Sequence, residues 1–331
     1  MISVSHLTKY YGSLMAVDDL SFEIDEGHVY GFLGPNGAGK TTTMNIMTGC
    51  LSATAGSVQI DGYDIFEDPG EAKKRIGYLP EQPPLYLSES PEEYLRFVGE
   101  AKGLHGPALQ EQIQDVIQQT GIEAVKGRRI GGLSKGYRQR VGIAQALLGN
   151  PKAIILDEPT VGLDPIQIIE IRELIRELGK QHTVIFSSHI LSEVQTICDQ
   201  VLIIANGKLV AFDRPEALEK RLLAPNEILV VPDGSTKEAM AILESLPHIT
   251  HIQAEEEGVH PTLRIRTDVG DLYDLSRAIF LAFAQAKKPL LELRLEKASL
   301  EQVFLQLTES VQEASPQEAG DGTKQKEAKP I

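Results

Sequence analysis

The run Gly34-Pro35-Asn36-Gly37-Ala38-Gly39-Lys40-Thr41 constrains this chain more than any other stretch. It follows the apolar, strand-like Val29-Tyr30-Gly31-Phe32-Leu33 and leads into a helix-like segment at 41–49. Strand, glycine loop and helix in that order make a P-loop on an α/β scaffold. Glycines let successive backbone N–H groups turn onto phosphate oxygens, and the helix N-terminus adds a favourable partial charge. Asn36, Gly37, Ala38, Gly39 and Thr42 fall in that cradle. Lys40 is placed for the β- and γ-phosphates, and the Thr41 hydroxyl for magnesium. The spacing predicts a bound nucleoside triphosphate.

A P-loop does not say what the triphosphate is for. The discriminating residues come more than a hundred positions later. Ala153-Ile154-Ile155-Leu156 reads as a short strand buried on both faces, and it runs into Asp157-Glu158. An aspartate at the carboxyl end of such a strand sits beside the P-loop and can hold magnesium. Glu158 is then poised to orient or deprotonate a water attacking the γ-phosphate. In isolation, adjacent acids after a strand also serve as helix caps.

Three further pieces stand in order around that pair. Leu133-Ser134-Lys135-Gly136-Tyr137-Arg138-Gln139-Arg140 precedes a helix-like segment at 141–148. Val161-Gly162-Leu163-Asp164-Pro165 follows the acids, and Val184-Ile185-Phe186-Ser187-Ser188-His189 is a second buried strand ending in histidine. With these motifs the chain resembles the nucleotide-binding subunits of ABC transporters; the later segment Leu295–Leu307 resembles the C-terminal end of cassettes from multidrug, polysaccharide and gliding-motility exporters. P-loop, signature, Asp-Glu pair, D-loop and switch histidine occur in the family's order across residues 2–222.

The resemblance implies a RecA-like core with an antiparallel β subdomain and a helical subdomain, assigned here to 1–222 and 91–132. It implies ATP and Mg2+ as ligands, and a homodimer packed head to tail on a separate transmembrane permease. Each ATP would lie between one P-loop and the partner's signature, with Ser134 and Gly136 at a helix N-terminus offering an anion site. Glu158 would be the general base, His189 would contact the γ-phosphate, and Asp164 would couple the two sites. The family places an aromatic before a glycine near the adenine, which selects Tyr11 of Lys9-Tyr10-Tyr11-Gly12, with Tyr10 as the competitor and Val17 at the base edge.

Two positions depart from the family pattern. Tyr78-Leu79-Pro80-Glu81-Gln82 carries Glu81 where the glutamine loop usually has Gln, and Gln82 one residue later. Either side chain can reach the metal or water. The signature has Lys135 and Tyr137 where Gly and Gln are commonest, and Lys135 would be strained if its backbone needed positive φ.

With 331 residues the chain has room for two domains. No apolar run approaches the ~18 residues of a membrane span, and the N-terminus lacks the character of a signal peptide. Cys50 and Cys198 lie in helix-like apolar contexts that suggest buried, reduced thiols in a cytosolic protein; the resemblance implies a place on the cytoplasmic face of the cell membrane, held peripherally. A net charge of −15 argues against a nucleic-acid partner. Helical spacing at 92–102 and 108–119 marks the helical subdomain. Leu85, Tyr86 and Leu87 in the adjoining Pro-rich loop suit either a docking groove or closure of that subdomain's core.

Beyond a linker at 224–226, strand-like 228–231, helix-like 237–246, strands at 250–254 and 262–266, helix-like 273–286 and strand-like 290–295 follow. That β-α-β-β-α-β order is ferredoxin-like and predicts a small C-terminal α+β domain at 226–308. A terminal helix at 299–307 would carry Leu300, Val303, Phe304 and Leu307 on one face, motivating a dimerisation or regulatory role. The tail at 309–331 has the composition of a disordered segment. The readings left open beside the exporter are a soluble non-transport ABC ATPase, a nucleotide-gated regulatory module and an import cassette.

Overall fold

The computed structural model describes residues 1–221, 227–255, 260–268 and 272–296. The expected linker at 224–226, terminal helix at 299–307 and tail at 309–331 lie outside the described residues. The first part of the chain runs β1 (Ile2–Tyr11), β2 (Leu14–Ile24), β3 (Val29–Leu33), α1 (Lys40–Met47), β4 (Ala55–Ile60), β5 (Tyr63–Asp64), α2 (Pro69–Lys74), β6 (Ile76–Leu79) and α3 (Pro91–Ala101). It continues through α4 (Gly106–Thr120), α5 (Lys135–Leu147), β7 (Ala153–Leu156), α6 (Pro165–Leu178), β8 (Thr183–Ser188), α7 (Leu191–Ile197), β9 (Gln200–Ala205), β10 (Lys208–Asp213) and α8 (Pro215–Arg221).

Every residue of β3, β7 and β8 is buried, as expected of strands covered on both faces. They lie inside a six-stranded sheet of order β10-β9-β3-β8-β7-β6, parallel except for the antiparallel β10. Alternation along each strand feeds two separate cores. Ile154, Leu156 and Phe186 pack with the helices, among them Leu95, Ile113, Val141 and Ile175. Ile155, Ile185 and Phe32 pack the other way, with Met44 of α1 and Leu20 and Val58 of an antiparallel sheet ordered β2-β1-β4-β5. The P-loop, the Asp-Glu pair and His189 therefore all leave the carboxyl ends of neighbouring strands, where open α/β sheets collect ligands.

The helical segment is α3 and α4 packed on α5. Ser90 starts α3 with a reciprocal cap: its Oγ accepts from the Glu93 N–H, and the Glu93 carboxylate accepts from the Ser90 N–H at 2.9 Å and its hydroxyl at 2.6 Å. Gly121, at φ 67°, ends α4 in the left-handed conformation.

The remaining elements are β11 (Glu227–Pro232), α9 (Thr236–Glu244), β12 (Ile249–Glu255), β13 (Thr262–Thr267), α10 (Leu272–Gln285) and β14 (Leu290–Glu296). Their antiparallel sheet has the order β12-β13-β11-β14, which is the ferredoxin-like arrangement. Ile228, Val230, Leu263 and Ile265 meet Leu243, Ile279 and Phe283 of the two helices.

One expectation is corrected. Cys50 is exposed, because Gly49 turns left-handed at φ 66° and carries the chain out of α1 before Cys50 can enter the core. Cys198 is half-buried, and burial pushes its thiol well above the ordinary cysteine value.

Candidate functional site

The P-loop conformation follows from its glycines. Gly37 and Gly39 sit at φ 81° and 102°, a region side chains disfavour. A Cβ on Gly39 would also lie 2.6 Å from the Ala16 carbonyl, so the loop cannot close over β2 with a larger residue. Gly39 is the residue before α1, whose first-turn N–H groups have no side-chain cap. They remain available to an anion.

Lys40 is 6% exposed and folds back over the loop. Its Nζ donates to the Gly34 carbonyl at 2.8 Å and the Pro35 carbonyl at 3.3 Å, and lies 3.7 Å from Glu158 Oε1. Burial pulls the ammonium below the ordinary lysine value, and Glu158 and then Asp157 draw it partly back. It is a desolvated cation whose present partners are two carbonyls and a distant carboxylate.

Asp157 is fully buried at the end of β7. Its Oδ1 accepts from Ser187 Oγ at 2.6 Å and from Thr41 Oγ1 at 3.4 Å, while Oδ2 is buried without a donor. A buried carboxylate oxygen without a partner is costly and unusual in a folded chain. A hard cation that takes oxygen ligands would satisfy it, with the Thr41 hydroxyl alongside. The residues present fit magnesium.

Glu158 has φ 47°, left-handed for a residue with a side chain, a conformation that costs on the order of 1–3 kcal/mol and clusters at active sites. Its N–H donates to Ser187 Oγ at 2.8 Å, and its Oε2 lies 3.0 Å from His189 Nδ1. Ser187 thus fixes both acids at once, accepting from one and donating to the other. Lys40, Thr41, Asp157, Glu158 and His189 form one cluster, as their spacing implies.

A second group gathers around a hollow of about 450 Å³ lined by Ser134, Gly136, Arg140, Asp164, Gln167 and neighbours. Ser134 caps α5 by accepting from the Tyr137 N–H, and Asp164 caps α6 by accepting from the Gln167 N–H at 2.9 Å. Two helix N-termini therefore share this face. Helix α5 begins at Lys135, earlier than the 141–148 segment, so Lys135 has ordinary helical backbone and carries no strain. Its ammonium reaches over Gly162, where a Cβ would lie 2.2 Å away.

Tyr10 and Tyr11 are both exposed at the β1–β2 turn, and Lys9 Nζ stands 5.4 Å from the Tyr11 ring centre. Val17 is placed differently from its expected position at a base edge. It lies inside β2, fully buried, its Cγ2 3.6 Å from where a Gly39 Cβ would be. A side chain with no free face supports the loop from beneath. Glu81 and Gln82 are both exposed at one hollow of about 370 Å³ with Leu85, Leu87 and Lys135. Glu81 also raises the Lys40 value electrostatically, which puts its charge toward the P-loop. Leu85 packs on the core, whereas Tyr86 and Leu87 are exposed, and the Tyr86 ring meets Tyr94 edge-on and Phe97 at a tilt, with centres 5.8 and 5.2 Å away. Leu85 thus takes part in closing the subdomain's core, and Tyr86 and Leu87 do not.

Sequence reasoning named Ser187 and Ser188 only as neighbours of the histidine, and did not single out Thr160 or Glu193, whose side chains are buried and hydrogen-bonded to each other at 2.9 Å. The hydroxyls preceding His189 were the available signal.

The family model described as ABC transporter matches residues 17–161. The bacitracin transport ATP-binding protein BcrA of Bacillus licheniformis is 35% identical over 309 residues, covering 93% of this chain and 97% of that protein. The linearmycin resistance ATP-binding protein LnrL of Bacillus subtilis (strain 168) is 31% identical, over 93% of this chain and 98% of its own length. Both alignments are long enough to include the C-terminal unit. Among solved structures, an ATP binding subunit of an ABC transporter superposes with TM-score 0.61 and 30% identity, over 67% of this chain and 92% of the other. With strands, loops and acids placed as that family places them, the chain belongs to the ATP-binding subunits of ABC transporters and is an ATPase.

Proposed function

We propose that this subunit powers an ABC exporter by ATP-driven closure of a homodimer on a separate transmembrane permease. The observation that carries this reading is the division of site residues between two faces. One holds Lys40, Thr41, Asp157, Glu158 and His189; the other holds Ser134, Gly136 and Asp164 around two helix N-termini. A head-to-tail pair brings the second face of one copy over the first face of the other, and completes two sites.

In that arrangement the P-loop amides from Asn36 to Thr42 hold the phosphates and Lys40 exchanges its carbonyl partners for β- and γ-phosphate oxygens. Thr41 and Asp157 would hold magnesium, which would supply charge neutralisation to the phosphates. Glu158 accepts the proton of the attacking water, and His189 steadies that water and the γ-phosphate. Ser134 and the Gly136 N–H approach the partner's γ-phosphate. Tyr11 stacks on adenine, and Glu81 or Gln82 reports the occupied site to the loop at 82–87. Most of the rate enhancement comes from positioning and charge.

The reading places the chain on the cytoplasmic face, against a multi-span partner; no described helix is long and apolar enough to cross a membrane. Tyr86 and Leu87, with Phe97 of the helical insertion, 91–132, offer that partner an apolar surface. The division into a cassette at 1–222 and an accessory domain at 226–308 fits the three apolar clusters. The outward direction draws on the relatives named for bacitracin transport and linearmycin resistance.

The test is reconstitution with a multi-span membrane protein taken from the genes neighbouring this one. Proteoliposomes should turn over ATP faster than the subunit alone, and antibiotic-challenged cells carrying both proteins should lose protection with Glu158→Gln. Unchanged turnover and no co-purification would contradict the transport reading.

A further inference from the structure

Glu193, on α7, has a side chain 1% exposed, and no step above uses it. Its Oε2 accepts from Thr160 Oγ1 at 2.9 Å and from Ser188 Oγ at 2.8 Å. Its Oε1 lies 3.2 Å from Arg172 Nη2 on α6, outside hydrogen-bond alignment. Ser188 Oγ in turn accepts from the Ile190 N–H at 2.9 Å, which fixes the backbone on both sides of His189. Thr160 lies between Glu158 and Asp164, and Arg172 sits on the helix that Asp164 caps. One carboxylate therefore joins the strand end that carries the histidine, the segment leading to Asp164, and the body of α6.

Stability alone gives a weak reason for such a group. A buried ion pair of this kind is often matched or bettered by apolar side chains of the same volume. What a carboxylate offers, and a leucine does not, is a fixed distance between three separately anchored segments. Those segments carry groups with different destinations in a head-to-tail dimer: His189 faces the chain's own γ-phosphate, and Asp164 faces the partner's site.

We propose that Glu193 is a positioning residue that makes the His189 and Asp164 segments move as one body, so that γ-phosphate contact in one site is transmitted to the other. The proposal rests on the head-to-tail reading above. A glutamine at 193 keeps one oxygen but turns its NH2 group either toward Arg172 or toward the two hydroxyls, so either the Arg172 attachment or both hydroxyl attachments are lost.

The experiment compares full-length Glu193→Gln, Thr160→Val, Thr160→Ser and Ser188→Ala with wild type. It measures thermal midpoint, binding of a fluorescent ATP analogue, kcat and KM, and ATP-dependent dimerisation in a Glu158→Gln background. The expected result is a kcat lower by about tenfold in Glu193→Gln and Thr160→Val, as misplacement of reacting groups produces. KM and analogue binding stay within about twofold, and Thr160→Ser, which keeps the hydroxyl, retains the wild-type rate. In the Glu158→Gln background, Glu193→Gln should raise the protein concentration needed for the ATP-bound dimer.

Wild-type kcat in Glu193→Gln, with only a lower thermal midpoint, would overturn the proposal. So would identical rates for Thr160→Val and Thr160→Ser, a comparison that survives if Glu193→Gln fails to fold. A Glu158→Gln control that stays monomeric with ATP would overturn the dimer reading and the cross-site half of the proposal. The rates would still decide the His189 half.

Discussion

Asp157 and Glu227 are both buried carboxylates at strand ends, one in each part of the molecule, and their surroundings differ in kind. Glu227 is satisfied on both oxygens, by Arg264 Nη1 at 2.9 Å and Arg266 Nε at 2.8 Å across the antiparallel sheet. Asp157 has one oxygen held by hydroxyls and the other bare. Lys40 nearby is held by two backbone carbonyls, with its nearest carboxylate oxygen, on Glu158, at 3.7 Å. In the C-terminal sheet this buried carboxylate is satisfied internally, by partners on the neighbouring strand. The first part of the chain has left buried charge of both signs unfinished, in a form that a magnesium–triphosphate would complete.

The largest effect that would break this contrast is in turnover. Glu158→Gln should lower kcat by about 10³-fold, within the range for removal of a general base, while ATP binding persists. A steady-state phosphate-release assay beside nucleotide titration decides it. Retained turnover would mean that the base lies elsewhere.

The next effect separates the two carboxylates directly. Ligand at about a hundred times its Kd stabilises a protein by about 2.7 kcal/mol. Wild type should show that rise in thermal midpoint with MgATP, and Asp157→Asn should lose most of it while the ligand-free midpoint holds or rises. Glu227→Gln should behave the opposite way. Loss of charged hydrogen bonds in a mostly buried pair costs about 2 kcal/mol, here in the C-terminal unit, with the MgATP response intact. Differential scanning of both variants with and without nucleotide reads the contrast.

Smaller still is the adenine end. Tyr11→Ala should weaken ATP binding by about 1–2 kcal/mol, and Tyr10→Ala by much less, if one ring alone stacks on the base. Equal losses in isothermal titration would leave neither tyrosine as the platform.

The smallest effect is in pH. Burial holds Lys40 below the unfolded value of 10.5. A lysine whose folded value is lowered burdens the folded state fully below that value, and the burden disappears as pH approaches 10.5. Relative to Lys40→Met, ligand-free wild type should therefore gain stability as pH rises toward 10.5. Saturating ATP should flatten that difference.

How much of this was legible depended on whether the information was local. The P-loop, the acids after β7 and the histidine after β8 are contiguous strings, each tied to a strand end, so spacing alone located them. The ferredoxin-like order was legible because its strands and helices alternate with clear periodicity. Val17, Cys50 and Lys135 were misjudged or left open because burial and φ at each depend on a turn or a neighbouring strand. Glu193 is a single acid on a short helix, and Glu227 a single acid at a strand start. Nothing local distinguishes either from a solvated charge. Their roles exist only once Thr160, Ser188 and Arg172, or Arg264 and Arg266, arrive from elsewhere in the chain.

The central claim is that one copy holds only half of each site. Light scattering on size-exclusion of the Glu158→Gln protein, with and without MgATP, tests it most directly. The account predicts twice the monomer mass with MgATP and the monomer mass without it, with Ser134→Arg abolishing the dimer while leaving ATP binding intact. A monomer at saturating MgATP, or a dimer indifferent to both nucleotide and Ser134→Arg, would contradict it.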